Sequence, residues 1–383
     1  MKINSVNTVS LGEVLEYEQP TKYIVDNTNY DDEFEIPVLT AGKSFLLGYT
    51  NETHNVFSNV PVIIFDDFTT AFKYVDFPFK VKSSAMKILK ANKEIADIRF
   101  LYYRMMKTGI DTELHKRYWI SKYSKVKIPL PPLDQQKKIA AILDSADAYR
   151  QKTKGLIEKY DELTQSLFLD MFGDTVSNPK GWETKTIEQL VKKQKYSLKR
   201  GPFGGALKKE IFVKDGYLVY EQYHALNNDF SMARYFIDEK KYKELIGFAV
   251  NPKDIIISCS GVYLGKLAII PENAREGIIN QALLKVTLDE SKIRNDFFVF
   301  HFTQQNFKQK YFDSNRGAGV PNFPPMKVFK QFPFISPPIE LQNQFAERVQ
   351  AIESQKKQAQ TSLVQSENLF NSLLQRAFKG ELV

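Results

Sequence analysis

Two stretches of the chain carry apolar residues at helical spacing over a long run. In the first, Ile139, Ile142, Ala146, Tyr149, Thr153, Leu156, Tyr160, Leu163 and Leu167 follow one another at alternating three- and four-residue steps, the spacing of a coiled-coil seam. In the second, Phe345, Val349, Ile352, Ala359, Leu363, Leu369, Leu373 and Ala377 share one face. The pattern predicts two helices, closed by Gly173 and Gly380. A helix of roughly 40 residues is about 60 Å long at 1.5 Å per residue, which is more than a compact domain needs and suits a spacer. Each has one apolar stripe that needs a partner, so the two are expected to pack antiparallel. Ile142, Leu156, Leu163, Leu167, Ile352, Leu363, Leu369 and Leu373 are the candidate contacts between the helices or to another subunit.

Each helix is the end of a longer repeat. PPLDQQKKIA at Pro131 to Ala140 returns as PPIELQNQFA at Pro337 to Ala346, and the match runs without a gap to Phe172 and Phe378. Pro131, Pro132, Gln136, Ala140, Leu163, Ser166, Leu167 and Phe172 face identical residues at Pro337, Pro338, Gln342, Ala346, Leu369, Ser372, Leu373 and Phe378. The prolines Pro129, Pro131 and Pro132 forbid helix up to that point, and Asp134 suits the first turn beyond it. A chain that repeats in this way has two similar halves and is expected to have two similar binding surfaces.

The segments before the two helices read differently. From about Val9 to Leu130, short β-branched and aromatic runs such as IPVLTAGKS, NVPVIIFDDFTT and FPFKVKSS alternate with turn residues and predict strands. One helix is predicted within EIADIRFLYYRMMKTG, with Gly109 as its stop. NPKGWETKTIEQL opens a second globule, IIISCSGVYLGKLAII supplies glycine-punctuated strands, and GAGVPNFPPMKVFKQFPFI leads back to the repeat. The fold class is α+β: two globules, each followed by a proline hinge and a long helix.

Composition narrows the function only slightly. The 383 residues carry a formal charge of +8, which suits a polyanionic partner but also occurs in proteins that never meet one. Hydrophobic residues at 43% argue against disorder. Cys259 is the one cysteine, so an intramolecular disulfide and a cysteine-based zinc site are excluded and a reducing cytoplasm is expected. MKINSVNTVS lacks a hydrophobic signal core, and the longest apolar runs are strand-sized rather than membrane-sized.

Catalytic motifs fail on inspection. TAGKS at Thr40 to Ser44 ends like a phosphate-binding loop, but Pro37 stands where that motif requires glycine. NFPPM at Asn322 to Met326 is broken as a methyltransferase loop by Phe323, and GPFGGA at Gly201 to Ala206 does not follow an apolar strand. Asp66 and Asp67 have no convincing partners for a nuclease metal and read as a turn or a cytosine contact; His54, His115, His224 and His301 form no ligand pair. The basic residues are more informative. Lys192, Lys193, Lys195, Lys199, Arg200, Lys208 and Lys209 crowd together before any acidic residue, with Tyr196 and Phe203 interleaved, which describes either a nucleic-acid contact or a solvated face. Lys43, Thr69, Thr70, Lys73, Lys116 and Arg117 are the candidates in the first globule; Tyr223, His224 and Arg316 join those of the second.

At this point the chain resembles the specificity subunits of Type I restriction-modification systems. The residues that carry the resemblance are IPLPPLDQQKKIAAIL, SLFLDMFGD and NPKGWE around the first helix, then KRGPFGGALKK, NPKDIIISCSGVYLGKLAII, INQALL and RGAGVPNFPP, in that order. The first globule lacks a GPFG segment, and its own signature is IPVLTAGK with FDDFTTAFKYVDFPF. The resemblance implies two target recognition domains, at 1–130 and 175–336, and two conserved helical regions, at 131–174 and 337–383. It further implies a non-catalytic subunit that reads a bipartite DNA sequence. The partners it implies are two modification subunits that use S-adenosylmethionine, and restriction subunits that use ATP and magnesium. A self-contained methyltransferase or endonuclease is the rival reading, disfavoured by the failed motifs; a coiled-coil adaptor is disfavoured by the size of the globules.

Overall fold

The computed structural model describes residues 7–42, 44–108, 118–261, 263–312 and 323–382. The chain divides into two compact units, Met1–Leu156 with Ala359–Val383, and Ile157–Gln358. The two predicted helices are present as Leu133–Phe172 and Ile339–Lys379, and each supplies residues to both units. Gly173 and Gly380 follow them with φ of 77° and 76°, the left-handed stop that glycine adopts without strain.

In the first unit, the strands Leu15–Glu18, Met86–Ala91, Val62–Asp66 and Phe72–Val75 lie side by side in that order, all antiparallel. The central run VIIF is apolar throughout because both faces are covered. Ile63 and Phe65 meet the helix Ile98–Met106 and the core around Trp119, whereas Val62 and Ile64 meet Leu39 and Val81 of a second, three-stranded sheet. The predicted helix stops at Met106, and Gly109 lies outside the described residues. The antiparallel ribbon of Asn7–Ser10 with Lys127–Leu130 closes the globule and delivers the chain to the proline hinge.

The second unit repeats this plan. Leu198–Arg200, Leu283–Val286, Ile255–Ser258 and Leu267–Ile269 lie in the same spatial order and the same sense. Thr184–Thr186 with Pro333–Ile335 forms the closing ribbon. Ile255 and Ile257 face a phenylalanine-rich core with Phe297 and Phe334, and Ile256 faces the other sheet. The strand registers superimpose without slippage: Phe65 pairs with Lys87 and Phe72 as Ile257 pairs with Leu284 and Leu267.

The repeated glutamine explains the repeated hinge. Buried Gln136 donates to the Ile95 and Pro131 carbonyls at 2.9 and 2.8 Å and accepts the Asp97 amide at 2.9 Å. Gln342 donates to the Lys292 and Pro337 carbonyls at 3.3 and 2.8 Å and accepts the Arg294 amide at 2.8 Å. Each therefore ties the start of a long helix to the start of its globule's own helix, where main-chain groups have no other partner.

The helix seam differs from the expectation. In the first unit Leu143 is buried with Phe370, Leu374 and Ala377, Arg150 stacks 4.5 Å over the Phe370 ring, and Lys154 pairs with Glu367 at 3.8 Å. In the second unit Phe168 and Phe172 pack edge-on against Phe345 at 5.5 and 5.3 Å, and Lys356 pairs with Asp161. Leu167, Ile352, Leu363 and Leu373 are half-buried, but Ile142, Leu156, Leu163 and Leu369 are exposed, the last two at 49% and 55%. In three of these four cases the next residue, Leu143, Thr164 or Phe370, is the buried one. One residue turns a helix by about 100°. The seam also uses Thr153, Thr164, Ala359 and Ser366, whose hydroxyls, where present, bond back to the carbonyls of Tyr149, Tyr160 and Leu363. Such small and hydroxylated residues make the apolar pattern peak on the wrong face.

Candidate nucleic-acid interface

In the second unit three segments meet at one end of the four-stranded sheet, because antiparallel pairing places the end of one strand beside the start of the next. The chain leaves Arg200 into Gly201-Pro202-Phe203, leaves Ser258 into Cys259-Ser260-Gly261, and enters Leu283 from Asn280-Gln281-Ala282. Gly201 donates to the Leu283 carbonyl and Cys259 to the Ala282 carbonyl, both at 2.8 Å. A Cβ on Gly201 would stand 1.8 Å from the Asn280 carbonyl oxygen, so only glycine permits this approach. Gln222, the first residue of a short helix, reaches in from the side: its amide nitrogen lies 2.8 Å from Ser258 Oγ and 2.9 Å from the Ser260 carbonyl. Three aromatic side chains on these segments face solvent, Phe203 at 78%, Tyr263 at 57% and Tyr223 at 40% exposure.

The cations lie on the segment leading into the strand that feeds this end, on that strand, and on the turns after it. Lys192, Lys193 and Lys195 are exposed, and Tyr196 just after them adopts φ of 71°. The Lys195 and Lys199 ammonium groups stand 4.8 and 5.4 Å from the Tyr196 ring, and Lys199 also lies 5.0 Å from the Phe248 ring. A hydrogen bond with Lys195, reinforced by the charges of Lys195 and Lys199, holds the Tyr196 hydroxyl below its ordinary pKa. Lys199 and Arg200 are half-buried, and Lys208 and Lys209 are exposed. Arg200 Nε is buried without a partner. Cys259 is inaccessible, and burial pushes its thiol up to about 12.

His224 is not a surface residue. Its ring is fully buried, Nδ1 accepts the Glu221 amide at 2.9 Å and Nε2 donates to the Met232 carbonyl at 3.0 Å. It caps its helix, and both ring nitrogens are engaged inside the globule. Tyr223 is exposed and donates its hydroxyl to Asp229 at 2.8 Å.

The equivalent sheet end of the first unit carries Gln19, the turn Asp66 to Ala71, and Ser83 to Ala85. One oxygen of Asp66 accepts the Phe68 and Thr69 amides, both at 2.8 Å, so the aspartate is spent on the turn. Asp67 is buried: a carboxylate oxygen accepts the Trp119 amide at 2.8 Å, and Lys87 stands 3.5 Å from the other. Its carbonyl accepts the Tyr118 amide as that of Cys259 accepts the Phe323 amide, both at 3.0 Å. Thr69 and Lys73 are exposed, and Thr70 is half-buried and left-handed with φ of 60°. Lys43, Lys116, Arg117 and Arg316 lie outside the described residues. Among the described residues one trio, Asp26, Glu52 and His54, brings its ligand atoms within 4.8 Å of one another. Glu52 already holds the buried Lys80 ammonium at 2.9 Å and accepts the Asp26 and Asn27 amides, so a cation of the chain's own occupies its charge.

Sequence reading found the cations and the turns but missed Gln222, Ser258 and Ser260. Their meeting depends on a helix docking against a strand far from it in the chain, which no local spacing records.

No helix among the described residues is long and apolar enough to cross a membrane. The family model for the Type I restriction modification DNA specificity domain matches residues 4–160 and 179–363. The EcoR124I/EcoR124II specificity subunit of Escherichia coli is 45% identical over 171 residues, which cover 43% of this chain and 41% of that protein. The MjaVIII specificity subunit of Methanocaldococcus jannaschii is 23% identical over 300 residues, covering 72% of this chain and 67% of that one. The crystal structure of a Type I restriction-modification S subunit from M. genitalium matches 99% of this chain and 98% of its own with a TM-score of 0.56 at 16% identity. A chain from a structural study of complex assembly and conformational transition of the type I R-M system matches over 100% of both chains, with a TM-score of 0.57 at 15% identity. These last two likenesses concern the fold.

Proposed function

The chain belongs to the Type I restriction modification DNA specificity family, and from that premise we propose that it reads a bipartite DNA sequence, one half-site with each globule. The observation that carries the reading is the duplicated sheet: the same strand order and register occur twice, and each time the same end gathers loops with exposed hydroxyl, aromatic or cationic side chains. Cations there serve phosphates, which fix position, and loop side chains serve base edges, which fix sequence. Residues 1–130 and 175–336 are the readers, while 131–174 and 337–383 set the separation between half-sites.

In this reading the chain performs no chemistry. Methyl transfer from S-adenosylmethionine belongs to partner modification subunits, and ATP- and magnesium-dependent cleavage to restriction subunits. The exposed apolar residues of the first long helix, Ile142, Tyr149, Leu156 and Leu163, recur at heptad spacing and give the modification subunits an edge on which to dock. Exchanging 175–336 for the corresponding segment of a relative and mapping methylated adenines tests the proposal. One half of the recognised sequence should change and the other remain; a change in both, or in neither, rejects independent readers.

A further inference from the structure

We propose that Gln222 reads a base in the half-site of the second unit, and that its side-chain carbonyl selects an amino-bearing base, adenine or cytosine, over a keto-bearing one. The inference rests on the DNA-reading function above. Its physical basis is the fixed orientation of the amide. The Ser260 main-chain carbonyl can only accept, so the group 2.9 Å from it must be the amide nitrogen of Gln222. Ser258 Oγ at 2.8 Å takes the second hydrogen of the same nitrogen, and Ser260 Oγ at 3.3 Å shares one of the two. All three contacts fall on that nitrogen, and the carbonyl oxygen is left as an acceptor whose direction is set before any ligand arrives.

The surroundings suit a base edge. Ser258 ends the central strand of the sheet, Ser260 lies on the loop that also bears exposed Tyr263, and the half-buried Gln222 is followed by exposed Tyr223. In the major groove, adenine N6 and cytosine N4 present N–H donors, whereas guanine O6 and thymine O4 present acceptors. A preoriented acceptor is attracted to the first pair and repelled by the second. A glutamine free to flip would tolerate both, so the two serines and the Ser260 carbonyl are positioning groups for the discrimination.

The test is selection of duplexes from a library randomised over both half-sites, using the full chain assembled with its modification subunits. The parent should enrich a bipartite motif in which one position of the second unit's half-site favours A or C. Gln222→Leu should lower that preference roughly tenfold while the other positions and the salt dependence stay unchanged. The double variant Ser258→Ala with Ser260→Ala keeps the carbonyl contact and should soften the same position by less; it decides the matter should the leucine variant fold poorly. An unchanged motif in both variants, or a uniform weakening of the whole half-site, overturns the assignment. If the parent itself enriches no motif, the DNA-reading proposal fails, and this one with it.

Discussion

Gln136 and Gln342 perform the same task with the same atoms: each buried amide joins a proline-hinge carbonyl to the main-chain amide of the residue that caps its globule's helix, Asp97 or Arg294. Replacing either with alanine leaves two carbonyls and one N–H without a partner, and an unsatisfied buried group costs about 1–3 kcal/mol. Gln136→Ala should therefore lower the stability of the first unit by at least about 2 kcal/mol, and Gln342→Ala that of the second. Denaturant unfolding followed by probes in each unit would check this, and an unchanged midpoint in either variant contradicts the clamp.

The repeat that carries these glutamines was visible in the sequence because a hinge followed by a helix is local. So were the strands VIIF and IIIS, whose unbroken apolar runs announce a sheet covered on both faces. The helix face was not. A stripe of Leu163 and Leu369 reads as a seam only if apolar residues are always inward, and here Thr164 and Phe370 take that place. His224 likewise stays open between a core residue and a base contact in the sequence, until the bond its Nδ1 accepts from the Glu221 amide is known.

Leu163→Lys and Leu369→Lys should consequently leave thermal stability within about 0.5 kcal/mol of the parent, as exposed substitutions do, whereas Phe168→Ala and Phe370→Ala should cost about 3–5 kcal/mol. Leu163→Lys should still weaken co-purification with modification subunits. Calorimetry and a pull-down on the same samples separate the two effects, and a large loss of stability in Leu163→Lys would return that leucine to a buried seam.

His301 is fully buried, accepts the Ile335 amide at 3.2 Å, and is pushed down to about 3 by burial. The unfolded chain binds its proton near pH 6.5 and the folded one does not, so stability is lost as the pH falls from about 6.5 toward 3, at up to about 1.4 kcal/mol per pH unit. His301→Gln keeps an acceptor and removes the titration. Its stability should fall less steeply over that range than the parent's; parallel pH profiles would show that this histidine does not set the slope.

Lys192, Lys193, Lys208 and Lys209 are exposed, and each that meets a phosphate should reduce the magnitude of the salt slope of DNA binding by about one when changed to alanine, without altering sequence preference. Arg200, with its buried Nε unpartnered, should instead affect preference, by about 1–3 kcal/mol at one position if it reads guanine. Binding isotherms across a salt series distinguish the two classes. Slopes equal to the parent's for all four lysines would make this a solvated face.

The buried thiol of Cys259 makes the molecule convenient to instrument. With its pKa near 12 and no surface access, the chain's one cysteine should ignore maleimides at neutral pH, since thiolate is the reactive form. A pair of fluorophores can then be attached at two engineered cysteines, one in each unit and away from the candidate interfaces, for example at exposed Val364 and Val328, without first removing the native one. Distances between the two halves, and any change in them when a duplex is engaged, become measurable on an otherwise unaltered protein.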